Sequence, residues 1–324
     1  MFSIEHIFVP LDYSPSSHAA LQLALDFGAP APSIQLVHFM DPWPKHLERM
    51  MWPFAAMGED APEFEIEQRE HALGLLEQVY ALGGVPHDRF GAPHIVRTGD
   101  VKRALPEALR TSGAELVVMG AFGSTGPTPG AIGSVAARMM RTSVRPVLLA
   151  RDFGGAPSIS RILCALDLSA TSSSVLDTAL SVAAHLGAEL HVVYVLPDPL
   201  AMDANDLLAQ NLKFHPDKAL ARSRDKIGAL LDHAFASIDV PFPHRVAADA
   251  MKRARHIAFG DPAPTILAHA DSMDADLVVV GSRDVSSDTD QAVGRVAWQV
   301  ACGATTHVLL APVHRHASIL NAES

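Results

Sequence analysis

The chain has 324 residues, 48% of them hydrophobic and 19% charged, which is enough for about two packed domains. Its formal net charge of −11 leaves no basic surplus to neutralise phosphates, which argues against general nucleic-acid or anionic-membrane binding. The 17 histidines are scattered and neither HExxH nor CxxC occurs, so no dedicated zinc site is expected.

In chain order, the segment Ile4–Leu11 is an apolar run suited to a buried strand. Ser14-Pro15 then supplies a cap and a first-turn proline for a helix over Ser16–Phe27, with Ala20, Leu21, Ala24 and Leu25 at helical spacing. Ile34–Phe39 reads as a second strand and Pro62–Leu82 as a long helix with Glu in its first turns. The alternation continues with a strand at His94–Arg97, a helix at Val101–Thr111, a strand at Leu116–Met119, a helix at Ser134–Arg141 and a strand at Val147–Ala150. Continuous apolar strands alternating with helices indicate a parallel sheet covered on both faces. Right-handed crossovers make this α/β and doubly wound, with about five strands and with ligands at the carboxyl ends of strands.

The same unit then recurs. Ile7-Phe8-Val9-Pro10-Leu11-Asp12-Tyr13-Ser14 matches Ile162-Leu163-Cys164-Ala165-Leu166-Asp167-Leu168-Ser169, an offset of 155 positions. Ala114–Gly120 matches Ala275–Gly281 and Val147–Ala150 matches Val308–Ala311, both offset by 161. The extra length falls in Arg245 to Arg255. Gly154-Gly155 followed by Pro157 marks the join, giving two domains over 1–152 and 159–316. Cys164 lies inside an apolar run and reads as a small buried hydrophobe, and the chain is expected to be cytoplasmic. Glu5 stands early with no long apolar run, so no signal peptide is expected. Val296–Val313 is broken by Gln299, Gly303, Thr305, Thr306 and His307, so no membrane span is expected.

The sharpest local signal is a strand that ends in Gly120, continues through Gly123, and restarts as a helix at Gly133-Ser134. Gly123 and Gly133 permit positive φ and close backbone approach, and free N–H groups at a helix start, with the Ser134 hydroxyl, can meet an anion. The intervening residues offer no Lys or Arg, and Pro127 and Pro129 supply no N–H. Arg138 and Arg141 follow on the helix and read as solvent-facing. In the second copy Asp284 replaces the second glycine and Arg295 the serine, with Asp288 and Asp290 nearby. One like-charge pair at ~4 Å costs about 4 kcal/mol at an effective dielectric near 20, enough to cancel most of the backbone's hydrogen bonding. No triphosphate is expected there, while an uncharged nucleoside stays open. Asp12 and Asp167 end the first strand of each copy and read either as ligand-rim carboxylates or as turn and cap residues. Asp41 to Asp60, rich in Trp, Met and Pro, reads either as a lid or partner surface or as a connection packed on its own domain. No Walker loop, GxSxG elbow or assignable nucleophile–base pair occurs.

Taken with Val37-His38-Phe39-Met40-Asp41 and Gly99-Asp100, these motifs resemble the universal stress protein family in its tandem form, over nearly all of the chain. The resemblance implies two Rossmann-like domains of the adenine nucleotide alpha hydrolase-like kind. It implies ATP, with Mg²⁺ or Mn²⁺, as ligand, with Pro10 and Asp12 beside the adenosine and the backbone near Phe39 beside adenine. Gly120, Gly123, Gly133 and Ser134 would line ribose and phosphates. It also implies pairing of the copies through Val147–Ala150 and Val308–Ala311 in a pseudo-twofold arrangement, and a homodimer of chains. The expected function is a stress-response ATP-binding sensor or regulatory adaptor. The competing readings are a dimeric interaction module that binds no nucleotide, using Asp41–Asp60, and a slow ATP hydrolase.

Overall fold

The computed structural model describes residues 3–27, 31–40, 89–91, 94–123, 126, 130–152, 158–169, 172–196, 254–282 and 293–312, with isolated helical positions at 70, 73–74, 77, 225 and 228–229. The expectations for most of Pro62–Leu82, for Asp41–Asp60, for Gly154-Gly155 and for the Asp284–Asp290 stretch lie outside the described residues.

In the first half β1 (His6–Leu11) leads into α1 (Pro15–Leu25), followed by β2 (Ser33–Met40), β3 (His94–Arg97), α2 (Val101–Ser112), β4 (Leu116–Gly120), α3 (Ser134–Thr142) and β5 (Val147–Ala150). The second half repeats this order with β6 (Arg161–Leu166), α4 (Ser172–Leu186), β7 (Glu189–Leu196), β8 (Arg255–Phe259), α5 (Pro262–Ser272), β9 (Leu277–Gly281), α6 (Arg295–Gly303) and β10 (His307–Ala311). The local signals act as expected. The Ser14 hydroxyl accepts from the Ser17 N–H at 3.2 Å, with Pro15 in the first turn of α1. Asp100 caps α2 by accepting from the Arg103 N–H at 3.3 Å.

The strands form one mixed sheet of ten, in the order β3-β2-β1-β4-β5-β10-β9-β6-β7-β8. All pairings within a half are parallel, and the two halves join where β5 meets β10 antiparallel, with Val147 opposite Leu310 and Leu149 opposite Val308. The two five-stranded halves are thus joined through the final strands that the family resemblance pairs, as one continuous sheet. The reason is apolar: every residue of β5 and β10 is buried, and an edge strand of that kind needs a partner. Each buried Val or Leu is worth roughly 1.5–3 kcal/mol, so opening this seam is costly. Helices α1 and α4 cover one face of the sheet, and α2, α3, α5 and α6 cover the other. Cys164 is fully buried on the α1/α4 face, and burial pushes its thiol pKa up. Among the described residues no helix is long and apolar enough to cross a membrane.

His307 opens β10 at the seam and is 2% exposed. Its Nδ1 accepts from the Arg151 backbone N–H at 3.2 Å. Burial pushes its pKa down to about 4, against an opposing pull from Asp276, and the charge of Arg151 adds to the lowering. The folded value lies below the unfolded one, so the unfolded chain takes up the proton first. Stability from this residue is thus complete above about pH 6.5 and is lost as pH falls through about 4, a loss of about 3 kcal/mol. Urea denaturation at about pH 7.5 and 4.5 is expected to show that loss, and His307→Gln to shrink it. A His307 resonance titrating near 6.5 would contradict this account.

Candidate functional site

In each half the strand order reverses between the first and fourth strands, at β1/β4 and at β6/β9. That switch point opens a crevice at the carboxyl ends of the strands. Asp12 follows β1 there and is exposed; its Oδ1 accepts from the Ser14 N–H at 3.0 Å, an Asx turn. Tyr13 has φ 60° and its repeat mate Leu168 has φ 55°. A bulky residue held at positive φ stores backbone strain of order 1–3 kcal/mol, and both halves store it next to the same aspartate. Nothing in the sequence signals this, because neither Tyr nor Leu favours that conformation. Pro10 pairs with Val37 and Phe39 with Val96, so the two residues sit on neighbouring strands near the same rim.

Gly120 ends β4, and Gly133 precedes α3 with no side-chain cap, which leaves the first N–H groups of α3 open ahead of the Ala137 N–H bond to the Gly133 carbonyl. The glycines serve space rather than positive φ. Gly133 has φ −57°, and among the described loop glycines positive φ falls at Gly126 and Gly130. A Cβ on Gly120 would stand 2.9 Å from the Ser16 Cβ and 3.0 Å from the Phe122 carbonyl. One on Gly123 would stand 3.1 Å from the Asp12 carboxylate. The loop is thus seated directly against Asp12. Its closure is a Gly133 N–H bond to the Ala121 carbonyl at 2.9 Å, repeated in the second half from Gly294 to Ser282 at 3.0 Å. Ser134 is exposed at the helix start. Arg138 and Arg141 are exposed, and Arg141 lies over the Trp298 ring at 5.6 Å.

The second half contains a cavity of about 290 Å³ at its own switch point. Its lining includes Ala165, Asp167, Tyr194, Gly281, Gly294 and Arg295. These are the repeat mates of Pro10, Asp12, Phe39, Gly120, Gly133 and Ser134. The mate of the seventh expected residue, Gly123, is Asp284, outside the described residues. Asp167 is held from two sides: the Ser169 N–H donates to its Oδ1 at 2.9 Å and the Ser172 hydroxyl at 2.8 Å. Arg295 approaches Asp261 at 3.8 Å with both side chains largely exposed, a pair worth little. Val193, Val280 and Ile266 make most of the remaining wall apolar.

The universal stress protein family pattern matches residues 3–151 and 158–312. The chain belongs to this family. Among solved structures it is similar to a functionally unknown protein from Pseudomonas aeruginosa PAO1, at 16% identity and a TM-score of 0.61, over 96% of this chain and 93% of that one. It is also similar to a universal stress protein from Archaeoglobus fulgidus DSM 4304, at 19% identity and a TM-score of 0.58, over 95% of this chain and 96% of that one. At such identities the likeness establishes the fold. No curated protein matches the chain.

In this universal stress protein, then, the structure gathers the expected first-half residues around one switch point and repeats the arrangement in the second half. Two features escaped sequence reading. The second-half cavity was hidden behind a degenerate loop, although Tyr194 at the Phe39 position was a usable clue. Arg151, just past β5, lies with its guanidinium 5.2 Å from the Phe122 ring inside the glycine loop, where no cation had been expected. The crowding at Gly120 yields a test. Gly120→Ala forces the loop off α1 and is expected to lower stability by about 1–3 kcal/mol in urea denaturation, whereas Gly126→Ala has open space but the wrong φ and should cost about 1 kcal/mol.

Proposed function

We propose that the chain is a stress-response protein that binds adenine nucleotide and acts as a sensor or regulatory adaptor, with units at 1–152 and 159–316 each offering a cleft. The observation that carries the reading is the coincidence of two independent sets: residues chosen in the first half by motif, and residues lining a cavity in the second half by geometry. The phosphates are assigned to the first half. There the helix start is uncapped, Ser134 adds a hydroxyl, and the sequence places no carboxylate between Gly120 and Ser134. Mg²⁺ or Mn²⁺ would take ligands from the nucleotide's phosphates.

The second cleft is assigned a nucleoside without its phosphates. A volume of about 290 Å³ is at the small end of ligand pockets, about 300–1,000 Å³, and the wall is largely apolar. Asp167 is placed to accept from ribose hydroxyls, and Tyr194 to lie against a base. Asp284, Asp288 and Asp290 follow in sequence and repel a phosphate chain.

Calorimetric titration tests both assignments. ATP with Mg²⁺ is expected to bind one site, weakened about 10–100-fold by Asp12→Ala and by Gly123→Asp, and unchanged by Asp167→Ala. Adenosine is expected to bind a site that Asp167→Ala removes. Absence of heat with either ligand at high micromolar concentration in the unaltered protein overturns the reading.

A further inference from the structure

Arg151 is the first residue after β5, and its guanidinium is engaged from both halves. One side lies over the Phe122 ring at 5.2 Å, between Gly120 and Gly123 of the first cleft. On the other side its Nη2 donates to the Ala301 carbonyl at 2.6 Å, in the last turn of α6. A cation at a helix C-terminus meets the negative end of the helix dipole, and a cation over a ring meets its negative face. These two contacts stand in for a counter-ion, since no carboxylate compensates the guanidinium among the described residues. Its Nε is buried without a hydrogen-bond partner, so the side chain is held at the cost of an unsatisfied donor.

The other end of α6 matters equally. Gly294 and Arg295 open that helix and line the second cavity. Nine helical residues span about 13 Å, so α6 runs as one rigid rod from the second cleft to the guanidinium that seats the first loop. Midway along it Trp298 receives Arg141 from the end of α3, whose own start forms the first cleft. The repeat mate of Arg151 is Pro312, which can make neither contact, so the link exists on one side only.

We propose that Arg151 is a positioning residue that ties the Gly120–Gly123 loop to α6, so that occupancy of either cleft changes the affinity of the other. The ligand part of this proposal rests on the nucleotide reading above; the mechanical part does not. Ligand at the loop displaces Phe122, Phe122 moves the guanidinium, and the guanidinium loads the C-terminus of α6, with the reverse order from the second cleft. Such coupling is reciprocal by necessity.

Hydrogen exchange on the full chain tests the mechanical part. Phe122→Leu, a first-half change, is expected to speed exchange in residues 295–303 about tenfold. That response should vanish in an Arg151→Met background and survive in part with Arg151→Lys, which keeps the charge without the planar fork. Arg138→Met, exposed on α3, should leave exchange in 295–303 unchanged. Exchange in 295–303 that ignores Phe122→Leu overturns the proposal, and this arm stands if Arg151→Met fails to fold, since Phe122→Leu and Arg151→Lys are read against the unaltered protein. Titration tests the ligand part: the ATP affinity with and without saturating adenosine is expected to differ at least about threefold, the difference shrinking in Arg151→Lys and vanishing in Arg151→Met. Equal affinities in the unaltered protein, with both ligands bound, overturn the coupling. Failure of both ligands to bind sinks the nucleotide reading instead, and exchange then decides the role of Arg151 alone.

Discussion

The antiparallel contact between β5 and β10 governs the architecture. Val147–Ala150 is buried at every position, and it can be so because Val308, Leu309 and Leu310 lie beside it. An apolar strand of this kind at a free edge recruits whatever backbone it meets. Here the partner is the equivalent strand of the same chain. The consequence is a single sheet whose polarity reverses at its centre. All strands of the first half run one way and all strands of the second run the other.

That reversal fixes where chemistry can occur. Ligand crevices of parallel sheets open at carboxyl ends, so the two clefts lie on opposite edges of the ten-stranded sheet. It also sets the end of β5 beside the start of β10. Arg151 therefore meets His307 through its backbone and α6 through its side chain, although 156 positions separate it from His307 and 150 from Ala301 in sequence. Two groups that are unusual in a buried seam, an uncharged histidine and a guanidinium with no carboxylate partner among the described residues, sit side by side there. The guanidinium's own charge helps keep the imidazole neutral.

Much of the fold could be read in advance for identifiable reasons. The strands are continuous apolar runs, the caps at Ser14 and Asp100 are short-range chemistry, and the repeat doubled every signal. What the sequence could not reveal depends on distant contacts. The pairing of β5 with β10 was implied by the family resemblance and by two short apolar edge strands, whereas its antiparallel register and the single ten-stranded sheet it makes were not. At the site, Asp12, Gly120, Gly133 and Ser134 were legible because strand, glycine and helix start are consecutive. Positive φ is not the reason for Gly123 and Gly133: the loop glycines are crowded by Ser16, Ala121 and Asp12. The strained backbone at Tyr13 and Leu168, the cavity beside a degraded loop, and the reach of Arg151 all required the assembled chain.

Polarity reversal also constrains anything that reads this protein. A partner covering one cleft faces away from the other, so no single small footprint touches both openings. The helix layer of α2, α3, α5 and α6 spans the seam on one face and carries the starts of both α3 and α6 at its two edges. A reader of joint occupancy therefore has to lie along that face, where the pair of clefts is presented as two ends of one surface.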